Sequence, residues 1–283
     1  MVDGDTSRPV ESFEPADAVG HRVVHGGPRF VAPVRIDDEV EQAIDDLSEI
    51  APLHNAPALR GIREARAALP DVPHVAVFDT AFHATIPAEA ATYAIPRAWR
   101  RDWGIRRYGF HGLAVESVVA RLNAQRIVAC HLGGGCSVTA VLEGRSVDTT
   151  MGFTPLEGVP MATRSGSVDP GALIHLLRER GLTVDELDRA LETESGLAAL
   201  GGLDDSLGFG VYTYRIAAAV AQMAAALAGI DVLAFSGGVG ENRPDVRDAI
   251  AKRLAFLGSF ETTAVPARED LAIAHGVRKL LAG

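Results

Sequence analysis

His131-Leu132-Gly133-Gly134-Gly135-Cys136-Ser137 joins the apolar run Ile127-Val128-Ala129-Cys130 to a second one, Val138-Thr139-Ala140-Val141-Leu142. A strand that breaks into three glycines and resumes as a strand lets the backbone approach a ligand, because glycine has no side chain in the way and accepts positive φ. Successive backbone N–H groups in such a loop can line an anion site. Upstream, Arg106-Arg107-Tyr108-Gly109-Phe110-His111-Gly112 sets cations and an imidazole beside further glycines. Read together, the two stretches suggest a phosphoryl group being handled.

Working outward, strand–glycine–helix units recur on both sides. Ala18 to Val24 reads as a strand ending in His25-Gly26-Gly27, and His74–Phe78 as a buried strand delivering Asp79 to its carboxyl end. In open α/β folds that end is where ligands gather. Arg126–His131, Cys136–Leu142 and Ser146–Thr149 follow in hairpin order, and Val232–Phe235 leads into Ser236-Gly237-Gly238-Val239-Gly240-Glu241-Asn242. Helical stripes are expected from Asp37 to Ile50, from Asn55 to Leu69, from Leu113 to Leu122, from Pro170 to Arg180, from Thr183 to Leu191 and from Tyr212 to Ala228. Gly196–Gly210 reads as a connector, and a final helix, strand and helix close the chain. The pattern predicts an α/β protein with two lobes around a cleft. Residues 1–17, polar and without period, read as a disordered leader.

The 283 residues carry a net charge of −10. That balance disfavours nucleic acid as a partner, since phosphate backbones require a basic surface. A phosphate site in such a chain must rest on a few local arginines. Neither a membrane span nor a signal peptide is legible, so a soluble, cytoplasmic protein with no membrane partner is expected. The only cysteines, Cys130 and Cys136, read as small reduced packing residues.

Arg22 and Arg164 stand beside glycines rather than on an amphipathic helix face. Arginine presents a planar fork that grips carboxylate or phosphate through two bonds and never deprotonates. Asp79 could hold a metal, orient an arginine, act as a base, or simply cap a helix. His111 could donate to a developing phosphoryl charge or be structural. The Walker and protein-kinase patterns are absent.

Taken in order, these segments resemble the acetate kinase (acetokinase) family, in the actin-like and sugar-kinase ATPase superfamily. The matching strings are 21–27, Ala51-Pro52-Leu53-His54-Asn55, 77–83, 106–112, 148–158, Thr163-Arg164-Ser165-Gly166 and 238–242, covering the chain from residue 18 onward. The resemblance implies an actin-like (ribonuclease H-like) two-lobed ATPase fold with an incomplete N-terminal lobe. Residues 18–82 with helix 270–283 would be the remnant of that lobe, and 83–269 the nucleotide-binding lobe. It implies reversible, Mg2+-dependent phosphoryl transfer between ATP and acetate, giving ADP and acetyl phosphate, in a homodimer. Arg22 would bind the acyl substrate, with Asp79, His111 and Arg164 catalytic. His131, Leu132, Gly133, Gly134 and Gly135 would cradle nucleotide phosphates. Gly238, Val239, Gly240, Glu241 and Asn242 would hold the nucleoside end, and Glu269 would help bind magnesium.

Departures from the family pattern are also legible. The family's opening strand and its polar phosphate loop have no counterpart in residues 1–17. Its Gly-Asn-Gly loop is Gly133-Gly134-Gly135 here, and no arginine stands near Asp204–Gly208, where the family has an Asp-x-Arg nucleotide contact. Alternative expectations are therefore a non-catalytic relative that binds nucleotide or acyl phosphate, and a kinase for another short acid such as propionate.

Overall fold

The computed structural model describes residues 1–47 and 52–283. Two sheets dominate the described residues. The larger contains β6 (Arg126–Leu132), β7 (Cys136–Leu142), β8 (Arg145–Thr149), β9 (Val232–Ser236) and β10 (Glu261–Ala264), in the order β10-β9-β6-β7-β8. β6, β7 and β8 form an antiparallel meander, whereas β9 and β10 run parallel to β6. The buried strands are apolar on both faces because both faces are covered. On one face, Val128, Cys130, Leu132, Val138 and Phe235 pack beneath α8 (Ser206–Ala226) through Tyr212, Ile216, Val220 and Met223. On the other, Ile127, Ala129, Val141, Val232 and Ala234 pack against Val115, Val118 and Val119 of α5 (Gly112–Val119).

The smaller sheet is β3 (Val19–Val23), β5 (His74–Phe78) and β4 (Val34–Arg35), in the order β3-β5-β4, with β3 parallel and β4 antiparallel to β5. α1 (Asp38–Asp46) and α2 (Pro52–Ala68) cover one side with Ile44, Leu59 and Ile62 around Phe78. α11 (Glu269–Ala282) lies on the other, where Val277 and Ile273 meet Val75 and Val77. That helix also packs against α5, so it touches both layers that build the site.

Several boundaries differ from the sequence reading. Residues 2–7 are not a disordered leader: β1 (Val2–Asp3) and β2 (Thr6–Ser7) form a hairpin turned at Gly4, whose φ is 56°. Arg278 donates to Gly4 O at 3.1 Å and Arg268 to Ser7 Oγ at 3.1 Å, two long-range bonds that local composition does not announce. α2 begins at Pro52 rather than Asn55, whose buried amide instead bonds both backbone groups of His25. The last position of the first helical stripe, Ile50, lies outside the described residues. α8 starts inside the expected connector, because Asp205 accepts from the N–H groups of Leu207 and Gly208 as an N-cap. Among the described residues, no helix is long and apolar enough to cross a membrane.

Candidate active site

The site forms where the carboxyl ends of β3, β5, β6 and β9 meet the start of α5. Arg22, near the end of β3, lies opposite Val77 of β5, two residues before Asp79. Its guanidinium donates to Asp79 through Nη2 at 2.6 Å and Nε at 3.1 Å, while Nη1 pairs with Glu269 at 3.0 Å. One arginine therefore holds two carboxylates, one from each of two distant segments. Asp79 is buried. Burial pushes its carboxyl up from the usual 3.8 to about 6, against the opposing pull of Arg22. Burial also works against the Arg22 charge, but Asp79 and Glu269 more than offset it, so Arg22 is held above its ordinary value.

His111 is the N-cap of α5 and adopts the left-handed conformation, φ 61° and ψ 21°. Its Nδ1 lies 3.1 Å from Ser137 Oγ. Burial pushes its pKa well below the ordinary 6.5, and His131, Arg22, Arg164 and His83 act in the same direction. The ring is thus neutral near pH 7. In the tautomer where the Ser137 hydroxyl donates to Nδ1, Nε2 carries the proton and is a donor.

His131 has the same arrangement one strand over. It pairs in register with Ser137 of β7 and with Ser236 of β9, and its Nδ1 sits 3.1 Å from Ser236 Oγ. Burial holds it down to about 4, aided by Arg22 and opposed by Glu241. The rings of His111 and His131 lie 4.8 Å apart, centroid to centroid.

The triple-glycine turn works through space rather than unusual dihedrals: none of its glycines has positive φ, contrary to one reason for expecting glycine there. Gly133 N–H is spent closing the turn on Gly135 O at 3.0 Å. A β-carbon at Gly135 would instead stand 3.0 Å from His111 Nε2 and 3.6 Å from Arg164 Nη1. That small volume is where His111 and Arg164 converge. Arg164 is ion-paired with Glu192 of α7 (Val184–Thr193), its Nε 2.8 Å from a Glu192 carboxylate oxygen.

Gly238–Asn242 lie in the short helix α9 (Gly237–Asn242), directly after β9. Glu241 accepts from Gly237 N at 2.9 Å and Ala267 N at 3.3 Å, tying the helix to the segment before α11. A β-carbon at Gly133 would lie 3.8 Å from Gly238 N, so the two glycine stretches adjoin. No arginine follows Asp204 in sequence, yet Arg243 reaches it through space at 3.5 Å. Glu192 and Arg243 escape a reading of linear motifs, and Ser137 and Ser236, though inside the quoted glycine strings, gain a role only through histidines that tertiary packing brings to them. Arg107, grouped with the site by sequence, is structural. It donates to the carbonyls of Thr150 and Met151 at 2.9 Å and pairs with Glu157, which also accepts from Tyr93.

Two α/β sheets with paired carboxylates, a neutral imidazole and a second arginine gathered over a glycine turn define a two-lobed phosphotransferase. The chain belongs to the acetokinase family, which matches residues 6–268. It is 50% identical to the acetate kinase of Clavibacter michiganensis subsp. michiganensis (strain NCPPB 382) over 268 residues, 87% of this chain and 68% of that protein. Its fold matches Porphyromonas gingivalis acetate kinase at TM-score 0.89 and 35% identity, covering 96% of this chain and 80% of the other. A propionate kinase from Francisella tularensis matches at TM-score 0.87 and 35% identity, over 92% and 78% of the two chains. The two-lobed ATPase fold expected from the sequence is the fold found.

Proposed function

We propose that this protein catalyses reversible phosphoryl transfer between ATP and acetate, giving ADP and acetyl phosphate. The carrying observation is the convergence of His111 Nε2 and Arg164 Nη1 on the space above Gly135, with Arg22 held nearby on Asp79 and Glu269. Phosphoryl transfer asks a protein for in-line positioning and for neutralisation of the equatorial oxygens, not for covalent help. Acetate is ionised at neutral pH and needs no general base. Arg22 binds and orients its carboxylate. An acetate oxygen forms the new bond to the γ-phosphorus as the bond to the ADP oxygen breaks, and the departing electron pair stays on ADP. His111 donates from a neutral ring, so it adds a hydrogen bond at the transition state without a full charge in the ground state. Arg164 supplies the cation. Asp79 keeps Arg22 in place.

Magnesium fits the residues present. Mg2+ is commonly held by one or two carboxylates plus substrate phosphates, and Glu269, 26% exposed beside Arg22, brings one carboxylate to the site while Asp79 is taken up by Arg22. Glu269 would help hold the ion, which when bound would neutralise phosphate charge. We further propose that His131–Gly135 and Gly238–Asn242 contact the nucleotide, and that the enzyme works as a cytoplasmic homodimer, as the family resemblance implies.

The test is an assay of the purified chain with ATP, Mg2+ and acetate, trapping acetyl phosphate with hydroxylamine and using Arg164→Ala as control. Product that disappears in the control supports the reading. A folded sample that makes none overturns it. Propionate belongs in the same assay, because one methylene in an apolar pocket is worth only about 1–3 kcal/mol.

A further inference from the structure

His83 has entered so far only as a neighbour that lowers the His111 pKa. It is buried at 1% exposure in the turn that follows Asp79, and both ring nitrogens are engaged. Nε2 lies 2.9 Å from the carbonyl oxygen of Phe110, and Nδ1 lies 2.9 Å from Ser146 Oγ. A carbonyl only accepts, so Nε2 must carry the proton; Nδ1 then accepts from the buried Ser146 hydroxyl. This fixes one neutral tautomer.

The Phe110 carbonyl belongs to the peptide bond leading into His111. On the far side of His111, the N–H of Gly112 donates to the carbonyl of Asp79 at 3.0 Å. The short segment 79–83 therefore grips the backbone immediately before and immediately after His111, a non-glycine residue in the left-handed region. Such a conformation costs free energy and persists only where its surroundings enforce it. Gly109 completes the fit, since a β-carbon there would meet His83 Cγ at 2.7 Å.

We infer that His83 is a positioning residue: its Nε2–H, through the Phe110 carbonyl, holds the His111 backbone in the left-handed state that turns His111 Nε2 toward Gly135 and Arg164. The inference rests on the phosphotransfer reading for its kinetic consequence, but not for its structural one.

The experiment compares wild type, His83→Phe and His83→Gln. Phenylalanine fills the volume without a donor; the glutamine amide offers a donor to Phe110 and an acceptor to Ser146. In the hydroxamate assay, His83→Phe is expected to lose about 30-fold in kcat with both KM values within about 3-fold, and His83→Gln to recover most of the loss. Ring-15N NMR of histidine-labelled protein is expected to show His83 as the Nε2–H tautomer in wild type. It should also show His111 resonances displaced in His83→Phe and returned in His83→Gln. A purely packing role would lower thermal stability without separating kcat from KM and without rescue by glutamine.

Wild-type kcat in His83→Phe, an Nδ1–H tautomer in wild type, or unmoved His111 resonances in a folded His83→Phe would each overturn the inference. Should His83→Phe fail to fold, the wild-type tautomer and the kinetics of His83→Gln decide. If wild type transfers no phosphoryl group, the functional reading fails, and the His111 resonances still decide the positioning.

Discussion

Arg22 and Asp79 form an ion pair between a guanidinium that is 41% exposed and a carboxylate that is 1% exposed. The guanidinium therefore carries the solvent-facing side of the pair and the carboxylate its buried side; in the proposed reaction the carboxylate acts on substrate through the arginine.

Its titration has opposite signs for stability and for activity. The folded pKa of Asp79 is raised from 3.8 to about 6. Protonation therefore favours the fold: this group's contribution is fully present below the ordinary value and is lost as pH rises through about 6. Activity needs the ionised carboxylate to hold Arg22. The kcat/KM for acetate is expected to fall on the acid side with an apparent pKa near 6; a profile flat from pH 5 to pH 8 would contradict the assignment.

Arg22→Ala removes the cause that opposes burial, so Asp79 should titrate higher still. The variant should need far more acetate for half-maximal rate and should be destabilised by about 2 kcal/mol near pH 8, less near pH 5. That is below the cost of breaking a fully buried pair, because Arg22 keeps contact with water. Urea denaturation at the two pH values reads the difference.

Gly135→Ala places a methyl group between His111 and Arg164. Because Gly135 does not have positive φ, alanine brings no backbone strain; the His111 ring, 3.0 to 3.1 Å from the new methyl, must give slightly, and the melting temperature should fall by only a few degrees. Turnover should nonetheless fall by about 100-fold or more if, as proposed, the phosphoryl group occupies that space. Full activity in this variant would place the chemistry elsewhere.

Arg164→Ala is expected to lower kcat by about 100- to 1,000-fold, the usual scale for one preorganised donor at the transition state. ATP affinity, measured by calorimetry, should change little. Glu192→Gln keeps the shape but weakens the support of Arg164, so its loss should be smaller and of the same kind.

Much of the fold is written locally. The apolar strands from Val19 to Phe235 and the punctuating glycines give the elements and their order, because burial on both faces forces continuous apolar runs. Contiguous motifs name Arg22, Asp79, His111 and Arg164 as site candidates, and the fold brings Asp79 to Arg22 and His111 to Arg164. The site was not legible where a side chain is aimed by a partner fixed only by tertiary packing. Ser137 and Ser236 are ordinary strand residues until the sheet brings them to histidines, and Glu192 is an ordinary helix acid until Arg164 arrives. The hairpin of residues 2–7 was missed for the same reason, since its anchors are Arg268 and Arg278.

His131 takes its hydrogen-bond partner from strand pairing: Ser236 lies opposite it on β9 and Ser137 opposite it on β7. A slip of one residue in β6 would send the imidazole to the face packed under α8 and put Leu132 or Cys130 in its place. The spacing of polar groups around the cleft is therefore inherited from the peptide ladder itself. Loop substitutions can retune what enters the cleft, while the rungs of the sheet keep the imidazole and its serine in step.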